Sequence, residues 1–217
     1  MSDLLMSLLW QSVWETIYMV AASGFFSVLV GLPLGIILFV VQPGRILAKK
    51  WLHKPLALVV DLLRAIPFII LLVMLIPFTR FLVGTSIGTQ AAIVPLSIAA
   101  VPFVARLMEN ALKQVNGGLV EAGQAMGATN WQIIYRILLP EALPAAIRGV
   151  TVTLISLVGY SAMAGAVGGG GLGSLAINYG YQRFDFTVLL STIMILVMLV
   201  YMIQWLGDKF AKHYEHF

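Results

Sequence analysis

The chain has 217 residues, of which 60% are hydrophobic and only 10% are charged, and its formal net charge is +4. A soluble domain normally has about 25% charged residues, so the composition excludes an ordinary soluble domain and predicts a protein embedded in a lipid bilayer. The sequence contains no cysteine, which excludes disulfides and thiolate metal sites.

Five stretches that are nearly free of charged side chains predict five transmembrane helices. Each is close to the roughly 20 residues that a helix needs to cross about 30 Å of hydrocarbon. Only the second stretch contains charged residues. Trp10 and Trp14 are expected to anchor the first stretch at the outer membrane interface. We expect an all-α membrane helix bundle with one domain, residues 12–208, and spans at residues 16–41, 56–78, 81–105, 149–167 and 186–207.

Small residues and prolines inside these stretches indicate how the helices pack. Gly31 and Gly35, four residues apart, present a small face that is suited to close helix contact. Prolines in a span predict kinks, or hinges in a bundle that moves, because neighbouring groups can satisfy the freed carbonyls. These prolines are Pro33, Pro67, Pro95 and Pro102.

The charged residues predict the orientation of the helices and two local ion pairs. One set of connecting segments contains eleven Lys and Arg residues, and the alternating set contains only Arg80 and Arg183. Because cytoplasmic segments are enriched in basic residues, we expect the N-terminus outside and the C-terminus in the cytoplasm. Spacings of three residues predict the helical ion pairs Asp61–Arg64 and Arg106–Glu109.

Residues 118–141, between the third and fourth predicted spans, are too polar for a further span. A single charge at the bilayer centre costs roughly 2.5–3.5 kcal/mol, and this segment contains three charged side chains. Its local signals are a helix, a break and a second helix. Gly127 is suited to end the first helix, Thr129 and Gln132 have the spacing of a capping box for the second, and Pro140 is suited to begin the next span.

The second short helix is predicted to be amphipathic. Trp131, Ile134, Tyr135 and Leu138 follow helical spacing and form an apolar face beside polar residues. On the residues alone, two interpretations stay open: a helix that lies on the membrane surface, or a segment that docks on a partner protein.

The spacing of particular residues in this segment resembles the "EAA" loop of ABC importer permeases. Glu121-Ala122-Gly123 is followed after three residues by Gly127, and after nine more by Ile137-x-Leu139-Pro140. The third position departs from the motif, since Gly123 stands where the family has alanine. The resemblance implies a coupling loop at about residues 118–141 that docks on an ATPase subunit. The implied coupling residues are Glu121, Ala122, Gly123, Gly127, Trp131, Ile137, Leu139 and Pro140.

Other stretches extend the resemblance over nearly the whole chain, to the membrane subunits of bacterial methionine importers. They include Arg64-Ala-Ile-Pro-Phe, Val83-Gly-Thr-Ser-Ile-Gly88 and Leu157-Val-Gly-Tyr-Ser-Ala-Met163. The resemblance implies a type I ABC importer permease in the bacterial inner membrane, present as a homodimer seated on two ATP-binding subunits. It also implies a lipid-anchored methionine-binding protein on the outer side.

Residues on the outer half of the fourth span are candidates for the translocation pathway. The hydroxyls of Tyr160 and Ser161 and the thioether of Met163 suit the passage of a zwitterion with a thioether side chain. By the resemblance, Met163 is the best candidate for a gate. Simple helix packing is the alternative role for each of the three.

The glycine-rich stretch Gly168–Gly173 fits the pattern G-x-G-x-x-G but follows a membrane span, so it does not predict a dinucleotide site. It predicts either a flexible outer loop or close backbone packing near an outer gate. The sequence has no phosphate-binding loop, no catalytic cluster and no metal-ligand spacing, so we expect a transporter subunit without enzymatic activity, cofactor or metal.

Two other transport functions stay open from the sequence. The pathway residues are few and generic, so a permease for another small amino acid or an osmolyte is the nearest alternative. A proton-coupled secondary carrier normally needs titratable groups deep in the membrane and often has internal repeats, and the sequence shows neither.

Overall fold

The structure is a computed structural model, and it describes residues 2–215. Within this range the chain is helical and contains no β-strand, which confirms the predicted all-α class. The α-helices are α1 Ser2–Val40, α2 Lys50–Ala65, α3 Phe68–Met74, α4 Ile76–Val83, α5 Thr89–Lys113, α6 Gly117–Ala125, α7 Asn130–Ile133, α8 Leu139–Ala166, α9 Gly171–Leu175 and α10 Phe186–Tyr214. Two π-helical segments, Ile134–Leu138 and Ala176–Tyr181, follow α7 and α9.

Four helical stretches among the described residues are long and apolar enough to cross a membrane. They are Leu5–Val40, Thr89–Lys113, Asn130–Ala166 and Phe186–Tyr214. The pair α2 and α3 meets the same test, but the two helices are bent by 102° relative to each other. The described residues therefore contain four candidate spans, or five if this bent pair counts as one.

The second predicted span, residues 56–78, is not a continuous helix. Helix α2 ends at Ala65, Ile66 has extended backbone angles (φ −76°, ψ 123°), and α3 begins only after Pro67. The pyrrolidine ring clashes with the preceding residue in an α conformation, which pushes Ile66 into the extended region. Pro67 therefore breaks the span, whereas Pro33, Pro95 and Pro102 lie within helices.

The third predicted span, residues 81–105, is shifted along the chain. Gly84, with φ +83°, ends α4, and α5 runs from Thr89 to Lys113. The charged residues at its end are compensated, because Glu109 pairs with two cations: Arg106 Nη1 lies 2.5 Å from Glu109 Oε2, and Lys113 Nζ lies 2.7 Å from Glu109 Oε1. Helices α1 and α8 likewise extend beyond the charge-free windows, to Ser2 and Leu139.

Helix α2 is fixed to α5 by an arginine. Arg106 donates two hydrogen bonds to Asp61, of 3.0 Å from Nε and 2.6 Å from Nη2, and a third of 3.2 Å to the carbonyl of Ala57. Both predicted ion pairs are confirmed: Arg106 pairs closely with Glu109, and Arg64 lies 4.0 Å from Asp61 without a hydrogen bond to it. The carboxylate of Asp61 is held by Arg106 because that guanidinium can offer it two parallel N–H groups.

Helices α1 and α5 approach closely at the two glycines of the predicted small face. A Cβ at Gly31 would lie 2.6 Å from Cβ of Val104, and one at Gly35 would lie 2.7 Å from Cβ of Met108. Both glycines are buried, and the backbone of α5 forms the opposite wall. The predicted close contact is confirmed.

Replacing Gly35 by valine is expected to destabilise the protein by about 1–3 kcal/mol, because the new branched side chain would overlap the α5 backbone and Cβ of Met108. The measurement is chemical unfolding of the purified protein in detergent. Gly159 is the matched control on another span, since a Cβ there meets no atom within 4 Å. Equal losses for Gly35→Val and Gly159→Ala would contradict the packing argument.

Candidate functional site

The residues of the EAA motif lie in and around α6, a short helix whose two ends are both capped. At its start the Asn116 side chain accepts a 2.9 Å hydrogen bond from the backbone N–H of Gly118. At its end Gly127 has φ +77°, and its N–H donates to the carbonyl of Gln124 over 2.9 Å, while Ala128 N–H donates to Gly123 over 3.0 Å. This is the Schellman arrangement, and it confirms that Gly127 ends the first helix.

The capping box predicted for the second helix is also present. The N–H of Gln132 donates to the Thr129 hydroxyl over 3.3 Å, and the N–H of Thr129 donates to the Gln132 side chain over 2.8 Å. These reciprocal bonds satisfy two donors that would otherwise lack partners at the start of α7. The turn between α6 and α7 is therefore fixed from both sides.

Pro140 lies in the first turn of α8, as predicted, but α8 is not separate from the preceding helical segment. Helix α7, the π segment Ile134–Leu138 and α8 form one uninterrupted helical stretch, Asn130–Ala166. Pro140 has no N–H to donate to Arg136, and its ring crowds that carbonyl in a regular α-helix. The wide turn absorbs this conflict: the Leu139 N–H donates to Ile134, five residues back.

The predicted apolar face of the second helix divides into two parts. Ile134 and Leu138 are buried, together with Ile133, in a cluster formed with the ends of α1 and α5 that includes Phe39, Met108 and Leu112. Trp131 and Tyr135 instead point away from the bundle and are 72% and 65% exposed. The buried part attaches the segment to the bundle, and the exposed part is free to contact another molecule.

The structure also explains how the motif tolerates glycine at its third position. Gly123 is buried, and a Cβ there would lie 2.7 Å from Cδ1 of Ile137 and 3.6 Å from Cγ1 of Ile133. The long Ile137 side chain therefore occupies the space that an alanine methyl group would need. Gly123 is a packing residue in this structure, and its absence of a side chain lets α6 lie against the continuous helix.

The other motif residues differ in their exposure. Glu121 and Ala122 are exposed on α6, and Glu121 lines a cavity of about 320 Å³ together with Arg45 from the connection after α1. Ile137 and Leu139 are half-buried, whereas Gly127 and Pro140 are exposed. Glu121, Ala122 and Trp131 are thus available at the surface, and Gly123 and Ile137 lie beneath it.

Two exposed apolar residues of this segment were not singled out in the sequence. Leu119 and Met126 are 42% and 80% exposed. With Trp131 and Tyr135 they place four large apolar side chains at the surface of one short segment, which suits contact with a partner protein or with the membrane surface. After the role that the resemblance predicts for this segment, we define the exposed coupling surface as Leu119, Glu121, Ala122, Met126, Trp131 and Tyr135.

The three pathway candidates lie near the far end of the same continuous helix and differ in position. Tyr160 is half-buried and stacks on Phe68 of α3, with ring centroids 4.7 Å apart and planes inclined by 12°. Met163 is 49% exposed. Ser161 is buried inside the bundle and donates to the carbonyl of Val158 over 2.8 Å. Tyr160 and Met163 are one helical turn apart, and Ser161 points elsewhere.

The glycine-rich stretch is closely packed, so the interpretation as a flexible loop is wrong. Gly169 leaves no room for a Cβ, which would lie 2.8 Å from the carbonyl oxygen of Ala164. Gly170 and Gly171 have φ +80° and +72°, which few other residues adopt. Gly168 accepts a 2.9 Å hydrogen bond from the N–H of Gly88, which ties this stretch to the connection before α5.

Helix α1 holds the first turn of α9 through two side chains that the sequence analysis did not single out. The Glu15 carboxylate accepts a 2.7 Å hydrogen bond from Gly171 N–H, and the Thr16 hydroxyl accepts one of 2.9 Å from Leu172 N–H. The other carboxylate oxygen of Glu15 accepts from Gln11 over 2.8 Å. The signal available in the sequence was Glu15 itself, a charged residue directly before the first apolar stretch.

Comparison with known proteins places the chain in a family. The family described as "Binding-protein-dependent transport system inner membrane component" matches residues 31–215. The chain belongs to this family. It is 51% identical over 215 residues to the Vibrio cholerae "Probable D-methionine transport system permease protein MetI", covering 99% of this chain and 94% of the relative. It is 56% identical over 165 residues to the Escherichia coli K12 protein named "D-methionine transport system permease protein MetI", covering 76% of each.

Solved structures of transporters have the same fold. The chain superposes with a TM-score of 0.96 and 53% identity, over 99% of both chains, on the MetNI methionine ABC transporter in an inward-facing conformation. An amino acid ABC transporter crystallised with histidines gives a TM-score of 0.79 at 18% identity, over 96% of this chain and 94% of that chain. The second likeness concerns the fold alone.

In this binding-protein-dependent permease, Glu15→Ala is expected to destabilise the packing of α9 on α1 by about 1–3 kcal/mol, because Gly171 N–H would lose its acceptor in a partly buried site. Hydrogen exchange of the Gly171 amide is the direct measurement, and it should accelerate. Glu15→Gln keeps an acceptor oxygen and should restore most of the protection. Unchanged exchange in Glu15→Ala would contradict the capping role.

Proposed function

We propose that this chain is the membrane subunit of an ATP-driven importer that carries methionine across the bacterial inner membrane. The observation that carries the proposal is the match over 99% of the chain to the MetNI methionine ABC transporter, at 53% identity. The relatives from Vibrio cholerae and Escherichia coli, both named as D-methionine permeases, support the same substrate. Two copies of the chain pair in the membrane, and each rests on one ATP-binding subunit.

The distribution of basic residues supports an orientation in which the EAA segment, residues 118–141, faces the cytoplasm. The N-terminus then lies outside, and the C-terminal end of α10 lies in the cytoplasm. The exposed coupling surface faces the compartment that contains ATP, and the glycine-rich stretch lies at the opposite end, where a binding protein would deliver methionine.

The structure supports a mechanical route from the coupling surface to the pathway. Trp131 lies in the first turn of the continuous helix Asn130–Ala166, and Tyr160 and Met163 lie near its other end. At 1.5 Å per residue, about 45 Å separates Trp131 from Tyr160 along this helix. A displacement of the coupling surface by the ATPase therefore moves the outer half of the same rigid element.

The buried half of the EAA segment makes this transmission possible. Ile133, Ile134 and Leu138 pack against α1 and α5, so the segment cannot move without the helices to which it is attached. When ATP binding brings the two ATPase subunits together, the segments approach each other and the two bundles rotate as rigid bodies. Alternation between two discrete arrangements then exposes the pathway to each side in turn.

Reconstitution of the chain with its ATPase and binding protein in proteoliposomes tests the proposal. Uptake of radiolabelled methionine should require ATP inside, the ATPase subunit and the binding protein, and should persist without a proton gradient. Absence of methionine uptake together with uptake of another amino acid or a betaine would overturn the substrate. Uptake that survives removal of the ATPase but stops with the proton gradient would overturn the mechanism.

A further inference from the structure

An arginine in the apolar part of α2 lacks a hydrogen-bonded partner. Arg64 makes no hydrogen bond within the described residues, and its nearest carboxylate oxygen, on Asp61, is 4.0 Å away. That carboxylate accepts two hydrogen bonds from Arg106, of 3.0 and 2.6 Å. Asp61 is therefore occupied, and the guanidinium of Arg64 has its donors free.

The Arg64 side chain is accessible from outside α2. The Arg64 and Asp61 side chains are 39% and 56% exposed. Water or a solute can therefore reach the guanidinium of Arg64.

A cavity of about 110 Å³ lies beside Arg64, where α2, α3, α5 and α8 meet. Its walls include Leu63, Phe68, Phe103 and Tyr160. The guanidinium of Arg64 lies 5.6 Å from the Phe103 ring centroid, and Tyr160 stacks on Phe68. The volume is well above the roughly 10–15 Å³ that one water needs. The cavity thus combines a guanidinium whose N–H groups make no hydrogen bond within the described residues with an apolar and aromatic wall.

We propose that this cavity is a transient binding site for the transported amino acid within the permease. Arg64 binds the carboxylate, and the apolar side chain of the substrate lies against Phe68, Phe103 and Tyr160. A guanidinium holds a carboxylate through paired N–H donors, and a thioether makes favourable contacts with aromatic rings. The proposal rests on the proposed function, and it specifies where along the pathway the substrate is recognised.

The position of the bend favours such a site. Ile66 and Pro67 interrupt the helix directly after Arg64, and a non-helical backbone at membrane depth occurs where it is buried in protein or lines a water-filled cavity. Tyr160 belongs to the same continuous helix as the coupling surface, so movement of that helix changes one wall of the cavity. The site can therefore bind and release substrate as the bundle alternates.

Cysteine labelling can test the site directly, because the chain has no cysteine of its own. Leu63→Cys places a thiol in the wall of the cavity, and Leu58→Cys places one on the exposed face of the same helix, where Leu58 is 59% exposed. The complete complex with its ATPase, in nanodiscs, is treated with a methanethiosulfonate reagent with and without methionine. Labelling of the wild-type complex gives the background from cysteines of the partner subunits, because this chain has none.

Methionine is expected to slow the labelling of Leu63→Cys and to leave Leu58→Cys unaffected. In Leu63→Cys with Arg64→Gln, the methionine concentration for half-protection should rise about tenfold or more, because a hydrogen bond to a charged group is lost. Arg64→Lys should give an intermediate value, since it keeps the charge without the paired donors. Methioninol, which lacks the carboxylate, should protect poorly in every variant.

The outcomes separate this site from the proposed function. The same complex is tested for methionine uptake in proteoliposomes. Uptake without protection of Leu63→Cys, or protection that Arg64→Gln leaves unchanged, overturns the site and leaves the proposed function intact. Absence of uptake overturns the proposed function. Equal labelling rates of Leu63→Cys with and without Arg64→Gln, measured in the absence of methionine, verify that Arg64→Gln folds.

Discussion

Replacing Arg106 by alanine is expected to destabilise the permease by about 3–5 kcal/mol, the range for removing one partner of a buried ion pair. Arg106 holds Asp61 on α2 and Glu109 on its own helix, and the Glu109 side chain is only 1% exposed. Without the guanidinium, the buried carboxylate of Glu109 retains only Lys113, and α2 loses its polar attachment to α5.

The measurement for Arg106→Ala is the free energy of unfolding of the purified protein in detergent. Arg148→Ala is the matched control, because Arg148 pairs with Glu215 at a half-exposed site, with side chains 50% and 39% exposed. A pair of this kind contributes about 0–1 kcal/mol. If both variants lost the same stability, the burial of Glu109 would have no energetic consequence and the argument would fail.

Local features of this protein could be predicted from the sequence because their partners are neighbours in the chain. Gly127 and the pair Thr129–Gln132 define a helix end and a helix start within six residues, and the structure confirms both. Gly31 and Gly35 likewise indicated a close helix contact, although not which helix they meet. The all-α class followed from the apolar stretches alone.

Features that join distant parts of the chain could not be predicted. Arg106 and Asp61 are 45 residues apart, and Glu15 and Gly171 are 156 apart, so no spacing rule connects them. Proline is ambiguous for a similar reason. Pro67 breaks its span and Pro95 does not, because the outcome depends on whether neighbouring elements satisfy the freed carbonyls.

The candidate coupling site was predicted in part. The motif identified the segment, but the sequence did not indicate that Gly123 and Ile137 form one packed contact while Trp131 and Tyr135 stay exposed. Helical spacing grouped Trp131 and Ile134 on one apolar face, yet the ends of α1 and α5 cover only the part that includes Ile134 and Leu138. Tertiary packing decides which part of such a face is buried.

Reversing the charge of Glu121 should uncouple the transporter without unfolding it. Glu121 is exposed on α6 and makes no hydrogen bond or ion pair with the described residues, so Glu121→Lys breaks no polar contact within the bundle. If the carboxylate pairs with a cationic side chain of the ATPase, as the proposed function requires, loss of a buried interfacial pair costs about 2–5 kcal/mol. Affinity for the ATPase should then fall by roughly 30-fold or more.

Co-purification of the ATPase and ATP-dependent methionine uptake are the measurements for Glu121→Lys, with membrane insertion followed by the yield of folded chain. Glu141→Lys is the matched control, since Glu141 is also exposed but lies in the first turn of α8, outside the motif. Glu141 makes no hydrogen bond or ion pair with the described residues, so the variant should lose at most about 0.5 kcal/mol of stability, as surface substitutions usually do, and should retain uptake. Normal uptake by Glu121→Lys would show that this carboxylate does not transmit force. If Glu141→Lys lost as much uptake as Glu121→Lys, surface charge in general, and not the motif, would maintain the complex.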